Sequence, residues 1–158
     1  MNVVPLRAGT ACVVQELLPH RHDMLLADAV NYGPDYGQII LTIRPDSFFC
    51  DGVEGVPAWV GIEYMAQAMA VYSGVQNRQA GEPLRIGLLI GTRRYDSELP
   101  VFAIGTRLTA TATLVSRESE FMYVFACEID DGHRVLARGD IKAYRPDDLH
   151  AFLGIAKP

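Results

Sequence analysis

The sequence predicts an α+β fold in which one antiparallel sheet wraps round a single long helix. Two observations predict it. Residues 56–72 form an apolar run long enough for about five helical turns, with apolar side chains right round the wheel. Beyond the run the period changes to two, and the segments 84–95, 106–116, 121–129 and 135–144 alternate as half-buried strands do. A helix that is apolar on nearly all sides needs cover on nearly all sides, and a curled sheet of about five strands supplies it.

The remaining elements follow in order. Residues 10–18 carry apolar side chains at 13, 14, 17 and 18, the spacing of a short helix, and Pro19 ends or redirects it. Residues 24–30 are a short apolar segment. Residues 38–44 alternate and are rich in Ile and Thr, which predicts a strand. Residues 48–55 read as a loop around Asp51-Gly52, and Pro57 suits the first turn of the long helix. Gly74 and Gly81 bracket the stretch where that helix is expected to fray. Asp130-Asp131-Gly132 predicts a tight hairpin turn between the last two strands, because Gly supplies the positive φ that such turns need. The connection 117–120 is short and polar, and residues after Pro146 are expected to be peripheral. The chain of 158 residues reads as one domain with a core over about 12–145.

Composition narrows the function classes. The chain is 49% hydrophobic and 21% charged, with a net charge of -5 and no basic run. Nucleic-acid binding is excluded as a main role, since phosphate neutralisation needs clustered Lys and Arg. Cys12, Cys50 and Cys127 are odd in number and widely spaced, which fits neither a disulfide framework nor a zinc site and points to a reducing, cytoplasmic setting. Residues 1–11 hold one Arg and no long apolar core, unlike a secretory leader. Glu63 and Gln67 interrupt the best membrane-span candidate, so no membrane association is expected.

Those two interruptions are also the chemical candidates. A carboxylate within an apolar helix is costly unless it is paired or protonated. Glu63 and Gln67 stand four apart and share one face. An acid with a neighbouring amide is a candidate general acid or base, and burial would favour its protonated form. A structural hydrogen bond pinning the helix within the sheet is the alternative use for either residue.

Three segments carry a family resemblance. Leu18-Pro19-His20-Arg21-His22-Asp23-Met24-Leu25-Leu26 is similar to an LPHR-x-P-x-LL motif, with Asp23 in place of the proline. Ile62-Glu63-Tyr64-Met65-Ala66-Gln67 is similar to E-x-M-A-Q in a central helix. Phe102-x-x-Gly105 follows a strand much as a P-V-x-x-G-D segment does, with Thr106 for the Asp. In this order the segments resemble the hotdog-fold 3-hydroxyacyl-acyl-carrier-protein dehydratases of fatty-acid synthesis, the FabZ and FabA type. The Pro-Ala-Trp start of the helix resembles the ApeP-like branch, dehydratases encoded in aryl polyene clusters.

One departure matters more than the matches. The dehydratases carry G-H-F-P-G-x-P before the helix, and its His is their base. An ungapped count back from Glu63 puts Phe49 at that position, and no His occurs in the loop 49–57. The resemblance therefore implies Glu63 as the acid of a water elimination, while the base is open. His20 is the remaining motif histidine and a candidate base, or a structural partner of the turn after Pro19. Asp51 and Glu54 lie in the loop expected to face the site, and Asp51 is a candidate substrate contact. Gln67 would orient the acid or touch the substrate hydroxyl. Backbone N–H groups near Trp59 and Gly61 could receive the thioester oxygen, since helix N-termini favour negative charge. Trp59, Met65 and Met69 are expected in the core or the tunnel wall. Arg93 and Arg94 are candidates to meet an acidic carrier protein or a phosphopantetheine phosphate. A metal held by His20 and His22 is not expected, for want of a third ligand.

The resemblance further implies an acyl substrate carried on acyl-carrier protein through phosphopantetheine, no cofactor, and a dimer joined at sheet edges. The dimer could be homodimeric or formed with another hotdog subunit that bears the His. Two other roles stay open: a non-catalytic subunit that stabilises such a partner, and an acyl thioesterase on the same fold.

Overall fold

The computed structural model describes residues 11–155, leaving aside the side chains of 11–13. Helix α1 (Ala11–Leu17) comes first, and a single 3-10 turn at His22–Met24 follows. The strands are β1 (Ala29–Tyr32), β2 (Tyr36–Thr42), β3 (Gly55–Pro57), β4 (Leu88–Ser97), β5 (Val101–Ala103), β6 (Arg107–Arg117), β7 (Met122–Asp130) and β8 (Val135–Tyr144). The long helix α2 spans Gly61–Gln79, after a 3-10 turn at Ala58–Val60, and a short α3 (Leu149–Leu153) closes the described chain.

Six strands form one antiparallel sheet in the order β1-β2-β6-β7-β8-β4, and β3 pairs with β5 in a separate ribbon. The sheet curls round α2, the hotdog arrangement that the sequence predicts, with one strand more than expected. The extra strand is β1, too short for its period to show, and its ladder to β2 runs from Ala29↔Ile40 to Tyr32↔Gly37. The buried positions of β2, β6 and β7 alternate along each strand, as period-two patterning requires.

Helix α2 lies close on the sheet where Gly37 leaves room. A Cβ there would run into the Ala68 carbonyl oxygen and the Tyr72 nitrogen. Gly74 does not fray the helix as expected. It stays inside α2, because a Cβ there would strike the backbone of Leu17, so the glycine serves the contact between α1 and α2. The helix ends past Gln79, and Gly81 follows at φ 71.

The core gathers Leu17, Leu18, Ile39, Met65, Phe102 and Ile141, all fully buried, around α2. At the other extreme, β4 is mostly exposed, and it is an edge of the sheet. Its Leu89 and Ile90 are exposed. No described helix is long and apolar enough to cross a membrane.

Candidate functional site

A cavity of about 560 Å³ runs along one stripe of α2. The stripe is Glu63, Ala66, Ala70, Ser73 and Asn77, spaced by three and four so that all face one way. Across from it stand Leu114, Phe125 and Ala143 of the sheet. Pro19 and His20 close the end beside Glu63.

The turn after α1 delivers His20. The Arg21 guanidinium donates to the Leu18 carbonyl and, at 2.7 Å, to the His20 carbonyl, folding the segment back on itself. His22 takes a left-handed φ of 54 to complete the turn. This places His20 Nε2 at 3.6 Å from Glu63 Oε1. Burial pushes the imidazole below its ordinary value of 6.5, the Glu63 carboxylate opposes that, and Arg21 adds to the lowering. The net effect favours neutral His20 near neutral pH, which is the form that can accept a proton. Its Nδ1 is buried and has no hydrogen-bond partner among the described residues.

Gln67 is fully buried and spends its amide on structure. Its Nε2 donates to the Met24 carbonyl at 2.6 Å and to Glu63 Oε1 at 3.1 Å, while its Oε1 accepts from the Leu26 N–H at 3.1 Å. One side chain thus ties the segment after His20 to the helix and fixes the rotamer of Glu63. The E-x-M-A-Q and LPHR segments meet through this amide.

Glu63 itself is not sealed in. Its side chain keeps 31% of its exposure, because the stripe it stands on faces the cavity rather than the sheet. The desolvation expected from the apolar run therefore does not hold within one chain.

The other expected contacts lie elsewhere. Trp59 is 63% exposed and is neither core nor cavity wall, since the 3-10 turn at Ala58–Val60 points it outward. Met65 and Met69 are buried as expected, and Met69 lines the cavity. Gly61 is buried against the Tyr95 hydroxyl, and its N–H is already bonded to the Ala58 carbonyl, so that donor is not free for a thioester oxygen. Tyr95 in turn donates to the Ala58 carbonyl, and burial pushes its hydroxyl up to about 12.

Asp51 accepts from the N–H groups of Val53, Glu54 and Gly55 at 2.9, 2.8 and 3.1 Å. Those donors, Val53's first, hold its carboxyl below the usual carboxylate value and make it the pin of the exposed loop. Neither Asp51 nor Glu54 lines the cavity. Arg94 is paired with Asp96 on β4, and neither Arg93 nor Arg94 lines the cavity. Among the described residues no three His, Cys, Asp or Glu side chains converge as a metal site needs.

Phe49, where the dehydratases carry their His, has a left-handed φ of 69. Its ring stands edge-on to Phe48 at 4.5 Å and to Trp59 at 5.9 Å. All three are well exposed, and Val53 beside them is 82% exposed. At this position the loop presents an apolar surface patch.

The sequence reading missed the far end of the cavity. There Arg145 donates to Ser73 Oγ at 3.1 Å, to Asn77 Oδ1 at 3.0 Å and to the Tyr123 hydroxyl at 3.0 Å. The signal was the helical spacing of Ser73 and Asn77 from Glu63; nothing local marked Arg145.

Over residues 12–154 the chain matches the model of a family described as ApeP-like, ApeP dehydratase. Among solved structures it is similar to the dehydratase heterocomplex ApeI:P from Xenorhabdus doucetiae, with 30% identity and a TM-score of 0.81, over 91% of this chain and 97% of that chain. The PaaI protein of the phenylacetic acid degradation operon of E. coli shares the fold at 19% identity and a TM-score of 0.57, over 73% of this chain and 79% of that one. A homologue of HP0420 from Helicobacter felis does so at 14% identity and a TM-score of 0.60, over 84% and 98%. No curated protein sequence matches the chain.

Proposed function

Since the chain belongs to the ApeP-like dehydratase family, we propose that it dehydrates 3-hydroxyacyl thioesters carried on acyl-carrier protein, in fatty-acid-like or aryl polyene synthesis in the cytoplasm. The observation that carries the proposal is the pair of Glu63 and His20, 3.6 Å apart at one end of an acyl-sized cavity.

The elimination assigns each group a step. Neutral His20 takes the proton from C2 through Nε2, and the C2–H electrons form the C2–C3 double bond. The C3–O bond breaks, and Glu63, as the acid of the pair, delivers a proton to the hydroxyl, which leaves as water. The product is the 2-enoyl thioester. His20 then returns its proton to the neighbouring Glu63 carboxylate, which resets the pair. Gln67 acts as a positioning residue, holding Glu63 for the hydroxyl.

The chain works with a second hotdog subunit. Three observations support this: similarity to a heterocomplex of dehydratases, the open outer edge of β4 with Leu89 and Ile90 exposed, and the aromatic patch of Phe48, Phe49 and Trp59. The absence of a His at Phe49 favours a second reading, in which the partner supplies the base and this chain supplies the acid or only scaffolding.

His20→Ala separates the two readings. It is assayed on a 3-hydroxyacyl carrier thioester, alone and with a His-bearing hotdog partner. The first reading predicts loss of the turnover that this chain contributes in either setting. Full turnover of the lone His20→Ala protein would refute it. Turnover that appears only with the partner, whatever stands at position 20, would establish the second reading.

A further inference from the structure

Another cavity, of about 450 Å³, shares no lining residue with the one along α2. Tyr64 lines it, one helical step of about 100° round α2 from Glu63. The side chain is 1% exposed, yet its hydroxyl makes no hydrogen bond among the described residues. Its oxygen is not sealed off as Nδ1 of His20 is, and it opens into this cavity. Burial above all, with Cys50 and Tyr95 adding to it, raises the phenol and keeps it a neutral donor. Thr42 also lines the cavity, half-buried, and its hydroxyl has no partner among the described residues either. A buried hydroxyl gives up water on folding and recovers the loss when an oxygen accepts from it.

The rest of the lining decides what carries that oxygen. Leu25, Leu26, Leu41 and Phe48 give it apolar surface, while Ser47 and His22 add polar groups. Ser47 Oγ already accepts from the Arg44 N–H at 2.8 Å. Three exposed carboxylates, Asp23, Asp28 and Asp46, face one guanidinium, Arg44. Arg44 is spent on Asp28 at 3.0 and 3.1 Å, and Asp28 also accepts from the Thr42 N–H at 2.8 Å. Among the described residues Asp23 and Asp46 have no ion-pair partner. The mouth therefore repels anions and attracts a cation, and the exposed Phe48 ring favours the same charge. Carboxylates alone would be an ordinary solvated rim; the two buried hydroxyls give the cavity a second, different end. We infer that it binds a small amine with an apolar stem and a carbonyl oxygen at its far end, the oxygen accepting from Tyr64 and Thr42 and the ammonium held by Asp23 and Asp46.

The site lies on the turn that delivers His20. His22, Asp23, Leu25 and Leu26 belong to that turn, and Gln67 holds the same stretch to α2 through Met24 and Leu26. Leu41 and Thr42 come from β2, and Tyr64 from α2. A bound amine joins turn, sheet and helix, so it stabilises the folded chain by mass action. None of these side chains is assigned to the elimination, and the inference stands apart from the dehydratase reading.

Isothermal titration calorimetry of the full chain with three probes tests this. N-acetylputrescine carries both groups, N-pentylacetamide has a methyl in place of the ammonium, and hexylamine lacks the oxygen. At about pH 8 the amines are charged and free imidazoles are neutral. N-acetylputrescine binds about tenfold or more tightly than N-pentylacetamide, the gain of a charge-assisted hydrogen bond. Asp23→Asn combined with Asp46→Asn, both at exposed positions, removes that preference and leaves Tm as it was. Tyr64→Phe weakens N-acetylputrescine about three- to tenfold and leaves hexylamine bound as before. Thr42→Val reads the same end of the cavity should Tyr64→Phe fail to fold. Equal binding of the amine and its methyl counterpart, a preference that survives the double aspartate change, or no heat from any probe at about 5 mM overturns the inference. So does binding that falls with Glu63→Gln and not with the aspartate changes, because the amine would then sit in the cavity along α2. Loss of amine binding on adding the hotdog partner overturns it too, since the cavity would then be part of an interface.

Discussion

The turn 18–26 and the loop 48–55 both precede the same helix, yet only the turn resembles its dehydratase motif closely. The turn keeps its histidine, and Gln67 bolts it to the helix through Met24 and Leu26. The loop holds no histidine. It is held by its own Asp51 and shows Phe48, Phe49, Val53 and Trp59 to solvent. A segment joined to the core by a buried amide can hold a reacting group to within the tolerance chemistry needs. A segment that closes on itself is free to change its outer surface. On the proposed function, chemistry belongs to the turn and association to the loop.

The largest effect that would break this contrast is on rate. His20→Ala should lower the chain's dehydration rate by about 10²–10⁴, the usual contribution of a positioned base, with circular dichroism unchanged. An equal loss from Asp51→Ala would reverse the assignment of turn and loop.

Next in size is the bolt. Gln67→Leu leaves the part-buried Leu26 N–H and Met24 carbonyl without their partner. We expect a loss of about 3 kcal/mol, a drop in Tm of roughly 10 °C by calorimetry. A change within about 0.5 kcal/mol would mean the turn is not tied to the helix as described.

Association should answer to the loop instead. Trp59→Ala is expected to weaken binding of the hotdog partner by about 2 kcal/mol, some 30-fold, because exposed tryptophans that become buried at interfaces are frequent hot spots. The free chain's Tm should hardly move. If Tm falls and partner affinity holds, the patch is packing rather than interface.

The smallest effect is titration. Burial depresses His20 in the folded state below 6.5, so the unfolded chain binds more protons in that window. The contribution is fully present above 6.5 and is lost as pH falls from there toward the lowered value. His20→Gln should flatten the fall in Tm between about pH 7 and 5 relative to wild type. An identical fall in both proteins would place the titration elsewhere.

How much of this could be read from the sequence follows from what burial does to pattern. Strands β6, β7 and β8 are long and half-buried, so their alternation was plain. Strand β1 has four residues, too few to show a period. The misfit of Glu63 and Gln67 in an apolar run marked the site, although Glu63 turned out to face a cavity and only Gln67 is sealed in. Trp59 was misplaced because its apolar character cannot tell which way a 3-10 turn will point it. Arg145 was invisible for a different reason. It meets Asn77 across 68 residues of chain, where the end of β8 folds against the last turns of α2, and no local motif records such a meeting. His20 showed only through its motif, since nothing in composition separates a base from a histidine that stabilises a turn.

The central claim is that Glu63 gives its proton to the leaving hydroxyl. Glu63→Gln keeps the shape and the neighbour of Gln67 while removing that proton. Its dehydration of a 3-hydroxyacyl carrier thioester is compared with wild type, alone and with the hotdog partner. The account predicts a fall of about 10²–10⁴ in the turnover that depends on this chain, with fold and association unchanged. Turnover that survives nearly intact would make Glu63 a structural residue and contradict the account.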